Sequence, residues 1–174
     1  LVGSEMCIRD RGTSNVAIGV ACVRSITTTG NNVGIGFSAL QNATGGSGNT
    51  AIGNNSMWSG SSTGGSNTVV GYYAATDITS GGSNTILGSY SGSDITTGSN
   101  NVLIGRNAGN TGTNDLTTGS NNTLIGHDAT ASSATVSNEV TIGDTNITKF
   151  RVPGIDVVLK DNGGTPTQGH VLTV

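Results

Sequence analysis

The stretch Asn49-Thr50-Ala51-Ile52-Gly53 decides the fold, because it recurs along the whole chain with little change. Each of the eight copies has a Val or Thr three residues before a closing glycine and an aliphatic residue one before it, and seven of them have an Asn four before it, where the eighth has Glu139. The repeated positions are Asn15 and Gly19, Asn32 and Gly36, Asn49 and Gly53, Asn67 and Gly71, Asn84 and Gly88, Asn101 and Gly105, Asn122 and Gly126, and finally Gly143. Successive glycines lie 17, 17, 18, 17, 17, 21 and 17 residues apart. Such regular spacing indicates a repeat architecture.

Each copy has the pattern of one short strand. A β-branched residue and an aliphatic residue two positions later follow the period of a β-strand, and the closing glycine permits a bend. A second, weaker column stands six residues before the Asn, at Ile26, Ile78, Ile95 and Leu116. Two strands and two turns fit a repeat of about 17 residues. We therefore predict an all-β parallel β-solenoid or β-roll with one coil for each copy.

Stacking explains why the same residue types recur in columns. Coils of a solenoid advance by about 4.8 Å, so equivalent residues lie over one another and Asn side chains can form ladders. The position three residues after the glycine is small in seven copies: Cys22, Ala39, Ser56, Ala74, Ser91, Ala108 and Ala129. The spacing of 21 reflects a four-residue insertion at 110–113, which we expect on a turn.

The middle position of each strand suggests a partner chain. It is apolar or small in seven copies: Ala17, Gly34, Ala51, Val69, Ile86, Leu103 and Leu124. Both faces of the strand are then apolar, whereas one coil buries only its inner face. We expect this middle column to face outward and to be covered by another copy of the chain, giving a homo-oligomer.

Composition excludes several classes of protein. Only 33% of the residues are hydrophobic and 3% aromatic, so an ordinary globular core would be thin. Charged residues make up 10% of the chain, the net charge is −3, and no Lys/Arg cluster is present, which argues against a nucleic-acid partner. No apolar run approaches the roughly 18 residues that a membrane-spanning helix needs. We expect no membrane insertion of this segment.

Both ends of the chain differ from the repeat. Residues 1–11 resemble a back-translated sequencing-library adapter, and we exclude them from the fold, so the protein is expected to be longer at its N-terminus. Cys22 is then the remaining cysteine, and we expect it to be a small buried residue. The array spans 12–147. Both lysines and both prolines follow it, so we interpret 148–174 as the start of a second, truncated β module with strands at 155–160 and 170–174.

We find no pattern typical of catalysis, of a cofactor or of a metal site. One copy partly matches the calcium-binding nonapeptide of toxin-type β-rolls, but Thr50 stands where that repeat has its aspartate. His127 and His170 are separated by the domain boundary, and Asp128 and Asp144 are interpreted as turn residues. There is no nucleophile elbow and no phosphate-binding loop. We expect the chain not to be an enzyme.

Few aromatic residues are present outside the excluded N-terminus and the last module: Phe37, Trp58, Tyr72, Tyr73 and Tyr90. The three tyrosines follow the glycines of adjacent coils and could form a sugar-binding strip, because aromatic faces stack on carbohydrate rings. The alternative, which we favour, is that they cover a seam between coils or between chains.

The repeat resembles a known family. The pattern Asn-[Val/Thr]-Ala-Ile-Gly, at 15–19 and 49–53, resembles the head repeats of trimeric autotransporter adhesins and is closer still to related repeats of phage tail-fibre proteins. The resemblance covers residues 12 to about 147. It implies a left-handed parallel β-roll in which three chains pack about a common axis. Two departures are a period longer than that of the usual autotransporter head and the loss of Ala after the last strands.

The resemblance also implies a function. We expect a rigid, homotrimeric segment of a phage tail fibre or similar adhesin, in the virion or at the cell surface, that contributes to host attachment. A host-surface glycan or protein would then be bound through other regions. The alternative is the head domain of a bacterial trimeric autotransporter adhesin. A third interpretation is an ice-binding solenoid, based on the Thr/Ser columns at Thr27, Thr44, Ser62, Thr79, Thr96 and Thr117, although these columns pair adjacent rather than alternate residues.

Overall fold

The repeat forms a parallel β-solenoid. The computed structural model describes residues 12–26, 28–58 and 62–151. Within them lie eight three-residue strands: β1 (Val16–Ile18), β2 (Val33–Ile35), β3 (Thr50–Ile52), β4 (Thr68–Val70), β5 (Thr85–Leu87), β6 (Val102–Ile104), β7 (Thr123–Ile125) and β8 (Val140–Ile142). They make one sheet in chain order, and every neighbouring pair is parallel. The predicted all-β solenoid, with one coil of about 17 residues for each copy, is confirmed.

Each coil contains one strand, and the second strand that we predicted is absent from the described residues. The members of the second column are fully buried in the coil interior but lie in irregular backbone next to turns and bends, outside any strand: Ile26, Ile78, Ile95 and Leu116. Beyond β1–β8 the described residues add one isolated bridge, between Ala43 and Ser62. Coils still hydrogen-bond to one another there, as from the Thr79 N–H to the Thr96 carbonyl at 2.9 Å. The remainder of each coil is thus built from hydrogen-bonded turns.

Left-handed backbone conformations explain why the strands are so short. They recur at three positions of the coil: just before the ladder Asn, and two and four residues after the closing glycine. Asn100 has φ 59°, Asn107 has φ 55° and even the β-branched Val23 has φ 51°. Such conformations are unfavourable for most residues and persist where the surroundings fix them. Here the neighbouring coil does so, since the Val23 N–H donates to the Ala39 carbonyl at 2.9 Å.

The middle residue of each strand faces inward, so our prediction that this column faces outward is wrong. Val69, Ile86, Leu103 and Leu124 are fully buried. Because side chains alternate across a strand, the residues on either side of them point out. The interior is completed by the small residues three positions after the glycine, which are buried in seven copies. A narrow core therefore replaces the thick core of a globular domain. It consists of these two columns, of second-column residues such as Ile78 and Ile95, and of the buried residues four positions after the glycine, such as Leu40 and Met57.

An asparagine ladder runs through this interior, as predicted. The Asn49 N–H donates to Asn32 Oδ1, and the Asn67 N–H donates to Asn49 Oδ1, both at 2.9 Å. The same pattern continues to Glu139, whose N–H donates to Asn122 Oδ1 at 2.9 Å. From Asn32 to Asn122 these asparagines are almost entirely buried. Buried polar groups are stable only when they are hydrogen-bonded, and the ladder meets this condition in a chain with few apolar residues.

Two glycine columns allow the coils to stack closely. The first seven closing glycines have φ between 131° and 153°, and a Cβ on Gly105 would overlap the Gly126 carbonyl of the next coil. A second column lies three residues before the ladder Asn: Gly46, Gly64, Gly81, Gly98 and Gly119. A Cβ at any of these positions would overlap a carbonyl of the next coil. The second column was missed in the sequence, although its regular offset from the Asn was readable there.

The four-residue insertion lies on a turn, as predicted. It bulges from the coil between Gly109 and Leu116, whose N–H donates to the Gly109 carbonyl at 3.0 Å and closes the loop. Asp115 Oδ1 accepts hydrogen bonds from the N–H groups of Thr111 and Gly112, at 2.6 and 2.8 Å. The insertion therefore leaves the stacking of the sheet unchanged.

Some predictions concern residues outside the described ranges. These are the adapter-like segment 1–11, Thr27 of the Thr/Ser columns, the strands expected at 155–160 and 170–174, and His170. Cys22 is described and buried, as predicted, and its thiol donates to the Gly19 carbonyl at 3.1 Å. Across 12–26, 28–58 and 62–151 there is no helix long and apolar enough to cross a bilayer.

Candidate functional site

The outward side of the sheet is a surface that runs along all eight coils. We call this surface, made of the first and third residues of β1–β8, the sheet face. Every side chain in it is Val, Ile, Leu or Thr: Val16, Ile18, Val33, Ile35, Thr50, Ile52, Thr68, Val70, Thr85, Leu87, Val102, Ile104, Thr123, Ile125, Val140 and Ile142. Ile18 is 57% exposed, Leu87 47% and Ile142 53%. A contiguous exposed apolar strip of this kind is typical of an interaction surface.

Three tyrosines form a compact cluster on the turn that follows the sheet. The rings of Tyr73 and Tyr90 stack with centroids 5.6 Å apart and an interplanar angle of 21°. Tyr72 tilts against Tyr73 at 4.6 Å and meets Tyr90 edge-on at 5.5 Å. Partial desolvation, followed by the proximity of Tyr90 and Tyr73, raises the pKa of Tyr72. The tyrosine rings of adjacent coils are thus in contact, and Tyr72 and Tyr90 remain exposed to solvent.

A polar cavity of about 340 Å³ lies farther along the same turn. Its walls include Asn107, Asn110, Asp128, Asp144 and Asn146. Asp144 accepts two hydrogen bonds from Asn146, from the N–H at 3.0 Å and from Nδ2 at 2.7 Å. These two donors are the main reason that the pKa of Asp144 lies below its ordinary value. Asp144 thus has the turn role predicted for it and also contributes negative charge to the cavity.

A hydrogen-bonded chain orders the rim of the cavity. Arg106 Nη1 lies 2.9 Å from His127 Nε2, and His127 Nδ1 lies 3.1 Å from Asp128 Oδ2. A guanidinium only donates, so Nε2 is the acceptor and Nδ1–H is the donor, as in a neutral imidazole. Asn107 Nδ2 donates to Asp128 Oδ1 at 2.9 Å. Both carboxylate oxygens of Asp128 are therefore held in place.

Three aspartates of successive coils form an acidic column: Asp77, Asp94 and Asp115. Partial burial raises the pKa of Asp94, and so do a hydrogen bond to Asp115 and repulsion from Asp115 and Asp77. No group of three or more His, Cys, Asp or Glu side chains that could hold a metal ion occurs among the residues that the structure describes. The column is thus a source of repulsion within the solenoid, with a pH dependence that follows from the raised pKa.

We predict that replacing Asp94 by asparagine raises the melting temperature near neutral pH. The pKa of Asp94 is higher in the folded chain than the unfolded value of about 3.9. The folded state therefore loses stability as the pH rises through the folded pKa, and it regains that stability as the pH is lowered toward about 3.9. The gain in the variant should therefore shrink as the pH is lowered in a series of thermal melts. Asp144→Asn is the control. Because the pKa of Asp144 is lowered, this substitution should lower the melting temperature near neutral pH. A gain from Asp94→Asn that is independent of pH would contradict this explanation.

The structure gives the repeated residues structural roles within each coil. The ladder asparagines and the closing glycines lie at the centre and at the corner of each coil, and Thr50 faces outward in β3. The described threonines of the Thr/Ser columns also connect neighbouring coils. The hydroxyls of Thr79, Thr96 and Thr117 donate to backbone carbonyls of the next coil at 3.0–3.2 Å.

Comparison with known proteins found no family model, no curated protein and no solved structure that matches the chain. The likeness of the repeat to tail-fibre and autotransporter-head repeats therefore stays a prediction. The parallel β-solenoid itself is established by the in-register pairing of β1–β8. Function has to be argued from the surfaces of this chain.

Proposed function

We propose that the solenoid is a rigid, homo-oligomeric segment of an extracellular or virion fibre, of the tail-fibre kind, which contributes to attachment at a host surface. One observation carries the proposal. The sheet face presents aliphatic side chains on every coil, and in a single chain they are exposed on β1, β5, β7 and β8 and half-buried on β2, β3, β4 and β6. Monomeric soluble proteins rarely leave so continuous an apolar strip in contact with water.

The sheet face is long enough to hold chains together. Seven intervals of about 4.8 Å make it about 34 Å long. Burying apolar surface contributes about 25 cal/mol for each Å² removed from water, so exposed residues such as Ile18 and Ile142 would gain from a cover along the whole array. The face contains no charge that would oppose close packing. Association through it adds apolar burial that one narrow coil lacks.

A second copy of the same chain is the partner that fits best. The period of the sheet face is set by the rise of the coils, and only a partner with the same rise stays in register over eight strands. Another copy, aligned in parallel, has that rise by construction. The number of chains, three, rests on the resemblance of the repeat to autotransporter heads and tail fibres.

Rigidity follows from the bonding between coils. Backbone hydrogen bonds, the asparagine ladder and the threonine hydroxyls connect each coil to the next. In a solenoid each repeat contacts only its neighbours, so length scales with copy number while the cross-section stays constant. These are the properties of a spacer that holds a binding region away from a surface.

Placing charge on the sheet face should separate the chains. We expect the triple variant Ile52→Lys, Leu87→Lys, Ile104→Lys to be a folded monomer, whereas the unaltered chain is an oligomer, as measured by light scattering of the full chain. The lysines would be desolvated in an interface but solvated on a single chain. The matched control is Thr44→Lys, Thr97→Lys, Thr118→Lys, at exposed turn positions, which should remain oligomeric. A stable monomer of the unaltered chain would refute the proposal.

The adhesin-head alternative shares the same rod and differs in what is attached to it. A signal peptide and a membrane anchor in the complete open reading frame would favour the adhesin, whereas a virion-assembly module would favour the tail fibre. For the ice-binding alternative, the threonine hydroxyls that would meet ice are already bonded to carbonyls of neighbouring coils. We expect no thermal hysteresis from the purified chain.

A further inference from the structure

A row of side chains connects the tyrosine cluster to the polar cavity. Tyr73, Tyr90, Asn107 and Asp128 each stand two residues after a closing glycine, in four consecutive coils, and all four have left-handed φ values of 52–56°. The first pair stacks ring on ring, and the second pair is joined by the 2.9 Å hydrogen bond from Asn107 to Asp128. We call these four residues the turn row. Its side chains leave the solenoid side by side, spaced by about 4.8 Å.

The first half of the turn row is an aromatic platform with fixed orientation. Tyr72 packs against both rings of the row, at 4.6 Å and 5.5 Å, and limits their rotation. Tyr90 remains exposed. An immobilised aromatic surface binds a flat apolar ligand face at little cost in side-chain entropy.

The second half of the turn row enters the cavity. Asn107 and Asp128 form part of its wall, and Asn110 donates from Nδ2 to the Tyr90 carbonyl at 3.3 Å, which joins the platform to the cavity. Asp144 and Asn146 line it as well. The volume of about 340 Å³ lies within the range of small-molecule sites, about 300–1,000 Å³. The cavity supplies carboxylate and amide groups whose positions are fixed by mutual hydrogen bonds.

We propose that the turn row and the cavity form a binding site for a neutral oligosaccharide. One sugar ring stacks its C–H face on the face of Tyr90 that Tyr73 leaves uncovered, and the next places its hydroxyls against the amides and carboxylates of the cavity. Carboxylates and amides accept and donate to neighbouring hydroxyls in the way that sugar recognition requires. Asp128 and Asp144 give the cavity lining a negative charge, and Arg106 lies outside that lining, at the rim, so we expect the cavity to disfavour sialylated and phosphorylated sugars.

This inference goes beyond the proposed rod, since it assigns a ligand to the rod itself. The site is formed by successive coils of one chain, so it does not require assembly. The tyrosines could instead cover a seam between chains. That possibility predicts a change in oligomeric state when they are removed, whereas a sugar site predicts a change in ligand binding.

The test is glycan binding by the full chain. The probes are a glycan array and four soluble oligosaccharides: maltohexaose, cellohexaose, lacto-N-tetraose and sialyl-lacto-N-tetraose. Calorimetry then measures the affinity of the neutral glycan that binds most strongly. We expect binding to neutral glycans only, weakened about tenfold or more by Tyr90→Ala and by Asp128→Asn, the latter tolerating the left-handed backbone. Phe37→Ala is the control, because Phe37 is an exposed aromatic on the same kind of turn, three coils from Tyr90.

Several outcomes would overturn the proposal. They are the absence of binding to every neutral glycan, equal binding of the sialylated probe, and binding that survives both substitutions in variants whose circular dichroism matches that of the unaltered chain. Dissociation of the oligomer by Tyr90→Ala would assign the tyrosines to a chain interface instead. Light scattering on the same samples separates the two proposals, because loss of glycan binding in an intact oligomer leaves the rod unaffected.

Discussion

Replacing Asn84 by alanine is expected to destabilise the solenoid by about 3–5 kcal/mol, since it removes the centre of the buried ladder. Asn84 Oδ1 accepts from the Asn101 N–H at 2.9 Å and from Asn101 Nδ2 at 3.1 Å. Asn84 Nδ2 donates to the Gly98 carbonyl at 2.9 Å and to Asn67 Oδ1 at 3.0 Å. An alanine at this position removes the hydrogen bonds that Asn84 makes to buried partners in the coils on both sides.

Urea unfolding followed by circular dichroism measures this loss. The control is Asn54→Ala, at an exposed turn position, which should change the free energy of unfolding by less than about 0.5 kcal/mol. Repeats contact only their neighbours, so amide hydrogen exchange should show the loss of protection first in the coils around Asn84. A cost below about 1 kcal/mol would mean that the ladder contributes little to stability.

Replacing Gly105 by alanine should cost more than about 3 kcal/mol, from two effects that act together. The backbone of Gly105 has φ 134°, a conformation that L-residues rarely adopt. The new methyl would also overlap the Gly126 carbonyl, so the coils on either side could no longer approach to the spacing of a sheet. Thermal unfolding of the variant should begin at a lower temperature, with β6 and β7 separating first.

Gly112→Ala separates these two effects. Gly112 has φ 80° in the insertion loop, and no atom lies within 4 Å of the position that a Cβ would occupy. It therefore carries the cost of the left-handed backbone alone, about 1–2 kcal/mol. Equal losses at Gly105 and Gly112 would show that contact between coils adds nothing to the requirement for glycine.

Much of the fold could be predicted from the repeat. The in-register strands, the asparagine ladder and the insertion on a turn all follow from the spacing of Asn and Gly, because stacked coils place equivalent residues over one another. The second strand could not be excluded. Ile78 and Ile95 have the apolar character of strand residues, and only the neighbouring turns show that they pack inward without pairing.

The candidate sugar site was only partly predictable. Tyr72, Tyr73 and Tyr90 stood out as neighbours one coil apart, and the structure brings their rings together. The cavity was not foreseen. It depends on how the insertion loop with Asn110 meets the turns that carry Asp128 and Asp144, which belong to three successive coils. Contacts between turns depend on backbone conformations that a repeat of residue types does not specify.

The sequence by itself determined the period, the parallel stacking and the identity of the buried ladder. Only the tertiary structure decided which face of the strand is the core. A three-residue strand that is apolar on both sides, such as Val102–Ile104, has no polar face to indicate the solvent side. The left-handed turns before and after it set the direction of the coil, and they turn Leu103 inward while leaving Val102 and Ile104 on the sheet face.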